Sequence, residues 1–319
     1  MRIHRKLRQL TLWIAIIIAL VSITACGDDS QTPSAVFSPT PTQKPLATPT
    51  PSALGSESNP FNFGLVLPRG ITTNDDFVSR FNQYVADETG LYVNSLIFTN
   101  TDELISALEK GNVHAVWLHP LTYIYAAERG WVTAGLLSNH FGTYYYGFQF
   151  LGNQTINYTF YFDQEANKSV ADAATALRQL NGTRPCWVEE GSISGYIFPL
   201  GILEENQIIT LPGAFLQSHT AVVRALYIEG ICDFGVTFAI SGDPRTSSAV
   251  IDDLTDTMER IQIIWQSNAE IPNLNLSYST GVPETIQKSV SAALQTLVKT
   301  DDGKLILMTV NDGYDIQDL

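Results

Sequence analysis

Between residues 61 and 130, short apolar runs alternate with segments of helical period, and this alternation fixes the fold class. The run at 63–67 is apolar and stops at Pro68, so it reads as a buried strand. Over 75–87, Phe77, Val78, Phe81, Tyr84 and Val85 recur at helical spacing, and Gly90 ends the pattern. A second strand follows at 91–98. Asn100, with Glu103 three residues later, starts a helix whose buried face is Leu104, Ile105 and Leu108 and which closes at Gly111. Strand 113–118 and helix 122–129 complete this half. Strands alternating with helices predict a parallel sheet with helices on both faces. In such sheets ligands sit at the carboxyl ends of strands, which here are 68–72, 99–101 and 118–123.

A second α/β unit follows. Strands are expected at 131–137 and 144–151, then a helix at 170–180, a strand at 184–189 and a helix at 196–205. Strand 207–211, helix 219–229 and strand 231–238 come next. The helix over 220–229 buries Val222, Ala225 and Leu226, and Gly230 ends it. The tail adds a strand at 261–265, a run at 274–278, an amphipathic helix at 283–299 and a last helix at 303–311. Tyr144-Tyr145-Tyr146 is the densest aromatic run. It reads either as strand residues packing both ways or as a crossing segment lining a cleft.

The N-terminus is a targeting segment. Arg2, Arg5, Lys6 and Arg8 precede an apolar stretch at 10–21, and Ile23-Thr24-Ala25-Cys26 reads as a lipobox with cleavage before Cys26. The apolar stretch is short for a span, which needs about 20 residues. Residues 27–58 are low in complexity, with Ser38-Pro-Thr-Pro-Thr42 and Thr48-Pro-Thr-Pro51, and form an extended spacer. The formal charge is −14, and cleavage removes four basic residues and no acidic ones, giving −18. A chain this acidic is not built for nucleic acid, whose affinity comes from Lys and Arg on phosphates. Lipid rather than charge would hold it at the membrane. Cys186 and Cys232 remain after cleavage. An oxidising compartment allows a disulfide between them; two buried thiols are the alternative.

Gly191-Ser-Ile-Ser-Gly-Tyr196 lies between a strand and a helix. Small residues and two hydroxyls at such a turn leave backbone N–H groups free to hold an anion without a cationic side chain. One of the serines is also explained as a plain helix cap. Pro199 should perturb the helix just inside its start, since it has no N–H for the carbonyl four residues back.

Several stretches carry a family resemblance. Ala107-Leu-Glu-Lys-Gly-Asn-Val-His-Ala-Val-Trp-Leu-His-Pro-Leu-Thr-Tyr-Ile-Tyr-Ala-Ala-Glu-Arg-Gly130 resembles a signature of the phosphate/phosphite/phosphonate substrate-binding proteins of ABC importers. Ser192-Ile-Ser-Gly-Tyr-Ile-Phe-Pro199, Ser218-His219, Val222-Val-Arg-Ala-Leu226 and Ile264-Trp-Gln-Ser267 fall in the family's order. The resemblance covers residues 61–319. It implies a two-lobed, type II periplasmic-binding-protein-like α/β fold, each lobe a mostly parallel sheet flanked by helices, with two hinge crossings. The expected boundaries are signal peptide 1–25, lipidated Cys26 and linker 26–60, lobe one 61–144, lobe two 145–238, and lobe one again 239–319.

The resemblance also implies a site. The head group would sit on Ser192, Ile193, Ser194 and Gly195, with Tyr123 and Thr122 from lobe one and His219 beside it. Tyr123 is otherwise ordinary packing, and a lone His is otherwise structural. Ile193 stands where the family often has Thr, and His119 where it usually has Gly, so His119 either adds a donor or fills the pocket. Thr101 falls near a Tyr of the aminophosphonate binders. Ala239 and Leu274 fall where those binders place carboxylates, so 2-aminoethylphosphonate is expected not to be the ligand. Glu189 and Glu190 would disfavour a dianion if they faced the cleft; Arg69 and Arg245 are candidate counter-charges or surface residues. Ser194, His219 and Asp233 form a triad only on paper, and five scattered histidines argue against a metal. The expectation is a monomeric, lipid-anchored protein that passes a small oxyanion to an ABC permease, with no cofactor and no catalysis. A sensor for a membrane kinase or an extracytoplasmic hydrolase are the alternatives.

Overall fold

The computed structural model describes residues 52–66, 76–311 and 314–319. The targeting segment, Cys26, the spacer up to residue 51 and Arg69 lie outside them. Defined structure is present before residue 61. Residues 53–59 form a turn in which the Gly55 N–H donates to Asn59 O, and Gly55 O accepts from the Tyr92 N–H, both at 2.8 Å.

The first half alternates as expected: β1 (Phe61–Val66), α1 (Asp76–Thr89), β2 (Val93–Phe98), α2 (Thr101–Glu109), β3 (Ala115–Leu118), α3 (Pro120–Glu128) and β4 (Val132–Leu137). Residues of β1 divide by parity. Phe61, Phe63 and Leu65 join Phe81 and Val85 of α1 in one core. Gly64 faces the other side, where a Cβ would lie 2.5 Å from Leu104 Cδ1, so glycine lets α2 approach the sheet. Asn100 caps α2 by accepting from the Glu103 N–H at 3.0 Å. The Glu103 carboxylate reaches back to the hydroxyl and N–H of Thr99, and those bonds, the hydroxyl's first, hold its carboxyl below the usual range.

β5 (Tyr145–Asn153) then enters a second sheet. It is followed by a small hairpin, β6 (Phe162–Asp163) and β7 (Lys168–Ser169), by α4 (Ala173–Leu177) and by β8 (Pro185–Trp187). A π-helical turn, Ile193–Ile197, continues directly as α5 (Phe198–Glu205). Next come β9 (Ala214–Phe215), α6 (His219–Ile228), β10 (Phe234–Ala239) and β11 (Ile261–Gln266). The chain returns through β12 (Ile271–Pro272) to β13 (Asn275–Ser279) and closes with α7 (Glu284–Leu297) and α8 (Asp301–Val310). The expected strand at 207–211 is not a strand; β9 takes its place beside β8.

Both sheets are mostly parallel, as expected, with one strand in each running against the rest. In the first, of order β2-β1-β3-β13-β4, β13 runs antiparallel to both neighbours. In the second, of order β11-β5-β10-β8-β9, β5 runs antiparallel to β10 and β11. The odd strand in each case arrives directly from the other lobe. It has no crossover helix to turn it parallel. The second crossing falls later than Phe238. β11 still pairs with β5, Ile261 and Ile263 bury in a lobe-two core with Val250, and only after Gln266 does the chain leave. Cys186 and Cys232 are bonded, with Cα atoms 5.6 Å apart where β8 begins and just before its neighbour β10.

The two crossings run side by side. Ser138 N–H donates to Leu274 O, and Asn273 N–H to Tyr144 O. The C-terminal tail joins them, with Asn139 N–H donating to Asp318 O and Gln317 N–H to Asn139 O. Among the described residues no helix is long and apolar enough to cross a membrane.

Candidate functional site

Both lobe-two site segments hang from the end of β8. Pro199 leaves the Gly195 carbonyl without its helical partner, and that carbonyl instead accepts from the Val188 N–H at 3.2 Å. The helix relaxes by one residue. Ile197 N–H and Phe198 N–H reach back five residues, to Ser192 O and Ile193 O. π turns of this kind recur at functional sites. Gly195 is required by packing, since a Cβ there would lie 2.4 Å from Val188 Cγ2. A parallel set of bonds, Leu216 N–H to Trp187 O and Gln217 N–H to Val188 O, delivers Ser218 and His219 to the same place.

The two serines divide the two roles considered above. Ser192 is the cap: its Oγ accepts from the Gly195 N–H at 3.0 Å. Ser194 is 4% exposed, and its side chain lines a cavity of about 250 Å³. The backbone N–H groups of Ile193 and Ser194, in the first turn, have no partner within the helix. The side chain of Ile193 turns into the lobe-two core.

His219 lines the same cavity. Its Nδ1 accepts from the Phe238 N–H at 3.3 Å, and its ring stands edge-on to Phe238 with centroids 4.8 Å apart. An Nδ1 that accepts fixes the tautomer, so Nε2 carries the proton. Burial lowers the imidazole from its ordinary 6.5 to about 4. His219 is therefore a neutral donor at neutral pH. This is the wrong tautomer for a hydrolytic triad, in which Nδ1–H donates to a carboxylate. Asp233 is elsewhere, accepting from the Arg184 N–H just ahead of β10.

The opposite wall was only partly anticipated. His119 lines the cavity, and so do His140, Tyr146, Ser241, Asn273 and Tyr314. His140 stacks on Tyr314 with centroids 4.6 Å apart, and its Nδ1–H donates to Asp315 O at 2.6 Å. His119 stands edge-on to Tyr314 at 5.9 Å. The Tyr314 hydroxyl donates to Asn273 Oδ1 at 2.9 Å, and burial raises its pKa. Burial likewise pushes Tyr146 up to about 12. Tyr146 bears out the crossing-segment reading of the tyrosine run, while Tyr144 and Tyr145 are exposed. Ile240, beside Ser241, holds a φ of 76°, and Gln217, just before the Ser218 cap, one of 66°; such conformations cluster at binding sites.

Other expected residues sit apart. Thr101 and Thr122 line a smaller neighbouring cavity of about 60 Å³, together with His119 and Trp117. The Trp117 indole N–H is buried with no partner among the described residues. The Tyr123 ring packs against the core of Leu104, Leu108 and Leu118. Glu189 and Glu190 are exposed and outside the cavity lining. Arg245 is neither counter-charge nor surface residue. It is 3% exposed, paired with Asp243 at 2.7 Å, and donates to Ile261 O. Among the described lining residues there is no carboxylate, ammonium or guanidinium, and among all described residues no group of His, Cys, Asp and Glu is arranged for a metal ion.

Comparison with solved structures bears on the fold. XAC2383 from Xanthomonas citri, determined with chloride and with ATP, superposes with a TM-score of 0.58 at 14% identity. The chloride form covers 81% of this chain and 90% of that one. PhnD1 from Prochlorococcus marinus MIT 9301, in complex with methylphosphonate, gives 0.50 at 15% identity, again over 81% and 90% of the two chains. No functionally curated protein matches by sequence. The family model described as "ABC transporter, phosphonate, periplasmic substrate-binding protein" matches residues 72–315. Its members are solute-binding components of transporters, not enzymes, which agrees with a histidine whose tautomer serves to donate rather than to act as a base. A match over most of the chain, on the mixed two-lobed fold described above, means that the protein belongs to the periplasmic phosphonate-binding family of ABC transporters.

Proposed function

We propose that this protein captures a small oxyanion of the phosphonate, phosphite or phosphate type between its lobes and delivers it to an ABC permease. Lipid on Cys26 holds it at the outer face of the cell membrane. The head group is received by the N–H groups of Ile193 and Ser194, the Ser194 hydroxyl and Nε2–H of His219. The observation that carries this reading is the meeting of Ser194 and a tautomer-fixed His219 on one cavity. All these donors are neutral, and the positive end of the helix adds to them. A preorganised set of neutral donors binds an anion without burying a cation, which would need its own partner.

Isothermal titration of the protein with phosphate, phosphite, methylphosphonate and sulfate tests the reading. A phosphorus oxyanion should bind with micromolar or tighter affinity, and absence of heat with all of them would sink it. Ser194→Leu should lower the affinity at least a hundredfold, by filling the cradle and removing one donor. Unchanged affinity in that variant would place the head group elsewhere. Metabolic labelling with palmitate should mark the wild type and not Cys26→Ala; label in both, or in neither, removes the anchor.

A further inference from the structure

Three neighbouring strands of the second sheet, β10, β8 and β9, run parallel and therefore end on the same side. In α/β sheets the segments that follow such ends hold the ligand. The segment after β8 delivers Ser194, and the one after β9 delivers His219. The segment after β10, residues 240–242, has no assigned part, although Ser241 lines the same cavity.

This third segment holds a strained backbone. Ile240 is β-branched and sits at a φ of 76°, a region such side chains avoid, and Gly242 follows at 111°. Packing keeps the turn in place. Ile240 Cδ1 lies 3.2 Å from where a Cβ on Gly147 would stand, and a Cβ on Gly242 would stand 3.5 Å from Phe238 Cε2. The Phe238 ring is the one that meets the His219 ring edge-on, so the turn folds back toward His219. Ser241 is 5% exposed, yet neither its hydroxyl nor its N–H has a hydrogen-bond partner among the described residues. A buried donor left unpaired is costly, and strained residues cluster at ligand clamps. Asp243, two residues on, is engaged by Arg245 at 2.7 Å and leaves the Ser241 hydroxyl alone.

We infer that Ser241 is a third anchor of the oxyanion head group, its hydroxyl donating to an oxygen that the Ser194 turn and His219 leave open. This rests on the head-group reading above. Ser192 caps its helix and Ile193 turns into the core, so the π turn offers a single side-chain hydroxyl. Ser241 supplies the second from a different strand end, and the lobe-two cradle stays free of charged side chains.

Titration of the full-length protein with methylphosphonate and 2-aminoethylphosphonate tests this. Ser241→Ala breaks no hydrogen bond of the ligand-free protein, so its denaturant midpoint should match the wild type. Its affinity for methylphosphonate should fall about three- to tenfold, the worth of one neutral hydrogen bond. Unchanged affinity in Ser241→Ala overturns the inference while leaving the oxyanion reading intact. Silence of the wild type with every phosphorus oxyanion overturns both. Ser241→Asp sets a carboxylate against the head group, and should weaken methylphosphonate by at least about a hundredfold without improving 2-aminoethylphosphonate. A gain for 2-aminoethylphosphonate in Ser241→Asp means that residue 241 faces the ligand's substituent instead of its oxygens, which also overturns the inference.

Discussion

At the scale of single residues, His219 turns a titratable side chain into a fixed dipole. The Phe238 N–H occupies Nδ1 and burial lowers the pKa to about 4. The sign of the resulting pH dependence follows from linkage. The unfolded chain takes up this proton near 6.5 and the folded one near 4, so between those values the unfolded state binds more protons and stability rises with pH. The contribution is complete above about 6.5, falls away as pH drops toward 4, and amounts to about 3 kcal/mol at 1.36 kcal/mol per pKa unit. His114 adds in the same direction, half-buried with Nδ1 accepting from the Asn62 N–H. His219→Gln keeps an N–H donor and removes the titration. Denaturant unfolding at pH 7.5 and 4.5 should show a smaller acid loss in the variant than in the wild type; an identical loss would mean that His219 binds its proton equally well in the folded and unfolded states. Ser192 and Ser194 show why residue type alone was insufficient. Both hydroxyls were legible as donors at a turn, but only the path of the helix decides that one caps and the other faces the cavity.

At the scale of elements, the π turn is the feature that Pro199 imposes. The sequence announces a disturbance at this helix start. It does not announce its form, which depends on Val188 N–H standing ready to donate to the orphaned Gly195 carbonyl. Pro199→Ala restores an N–H and lets residues 193–199 wind as a regular α-helix, which turns Ser194 relative to β8. Stability should rise by up to about 2 kcal/mol, because the gain of helical propensity, up to about 3 kcal/mol for replacing an interior proline, exceeds the roughly 1 kcal/mol of the lost bond from Val188. Oxyanion affinity should fall at least tenfold in the same titrations, and an unaltered affinity would show that the π register is not needed. Alternating elements of both lobes were legible because apolar period and caps are local signals. Asn100, Gly90 and Gly230 acted where they were expected to. Strand direction was not legible, since β13 and β5 are antiparallel only because of where the chain has just been. His140 and Tyr314 were missed for the same reason. They lie 174 positions apart in loops with no periodic pattern, and only the folded tail stacks one on the other.

At the scale of the whole molecule, the second lobe is stapled and the hinge is braced. The disulfide closes a loop of 46 residues between β8 and β10, worth about 4 kcal/mol on a chain-entropy model, so reduction should loosen the strands that carry Ser194 and His219. The brace is the C-terminal tail. Gln317 and Asp318 bind the first crossing at four places: Gln317 N–H to Asn139 O, Asn139 N–H to Asp318 O, Gly142 N–H to Gln317 Oε1, and the Tyr144 hydroxyl to Asp318 Oδ2. The first crossing is in turn bonded to the second through Ser138 and Leu274. Any closing motion of the lobes must bend both crossings, and a tail bonded to the first of them should limit how far they open. Deleting residues 317–319 removes these four bonds but leaves Ile316, fully buried, in the lobe-one core. Partly exposed hydrogen bonds contribute about 0.5–1 kcal/mol each, so the deletion should cost about 2–4 kcal/mol in denaturant unfolding. Its distinctive effect is on the hinge. Small-angle scattering of the ligand-free protein should give a larger radius of gyration for the truncated chain than for the full one, and the two should coincide once a saturating phosphonate holds the lobes together. Ile316→Ala separates the two roles. It should destabilise the core by about 2–5 kcal/mol without enlarging the ligand-free radius, whereas equal radii for the truncated and full chains would reduce the tail to a packing element with no hold on the hinge.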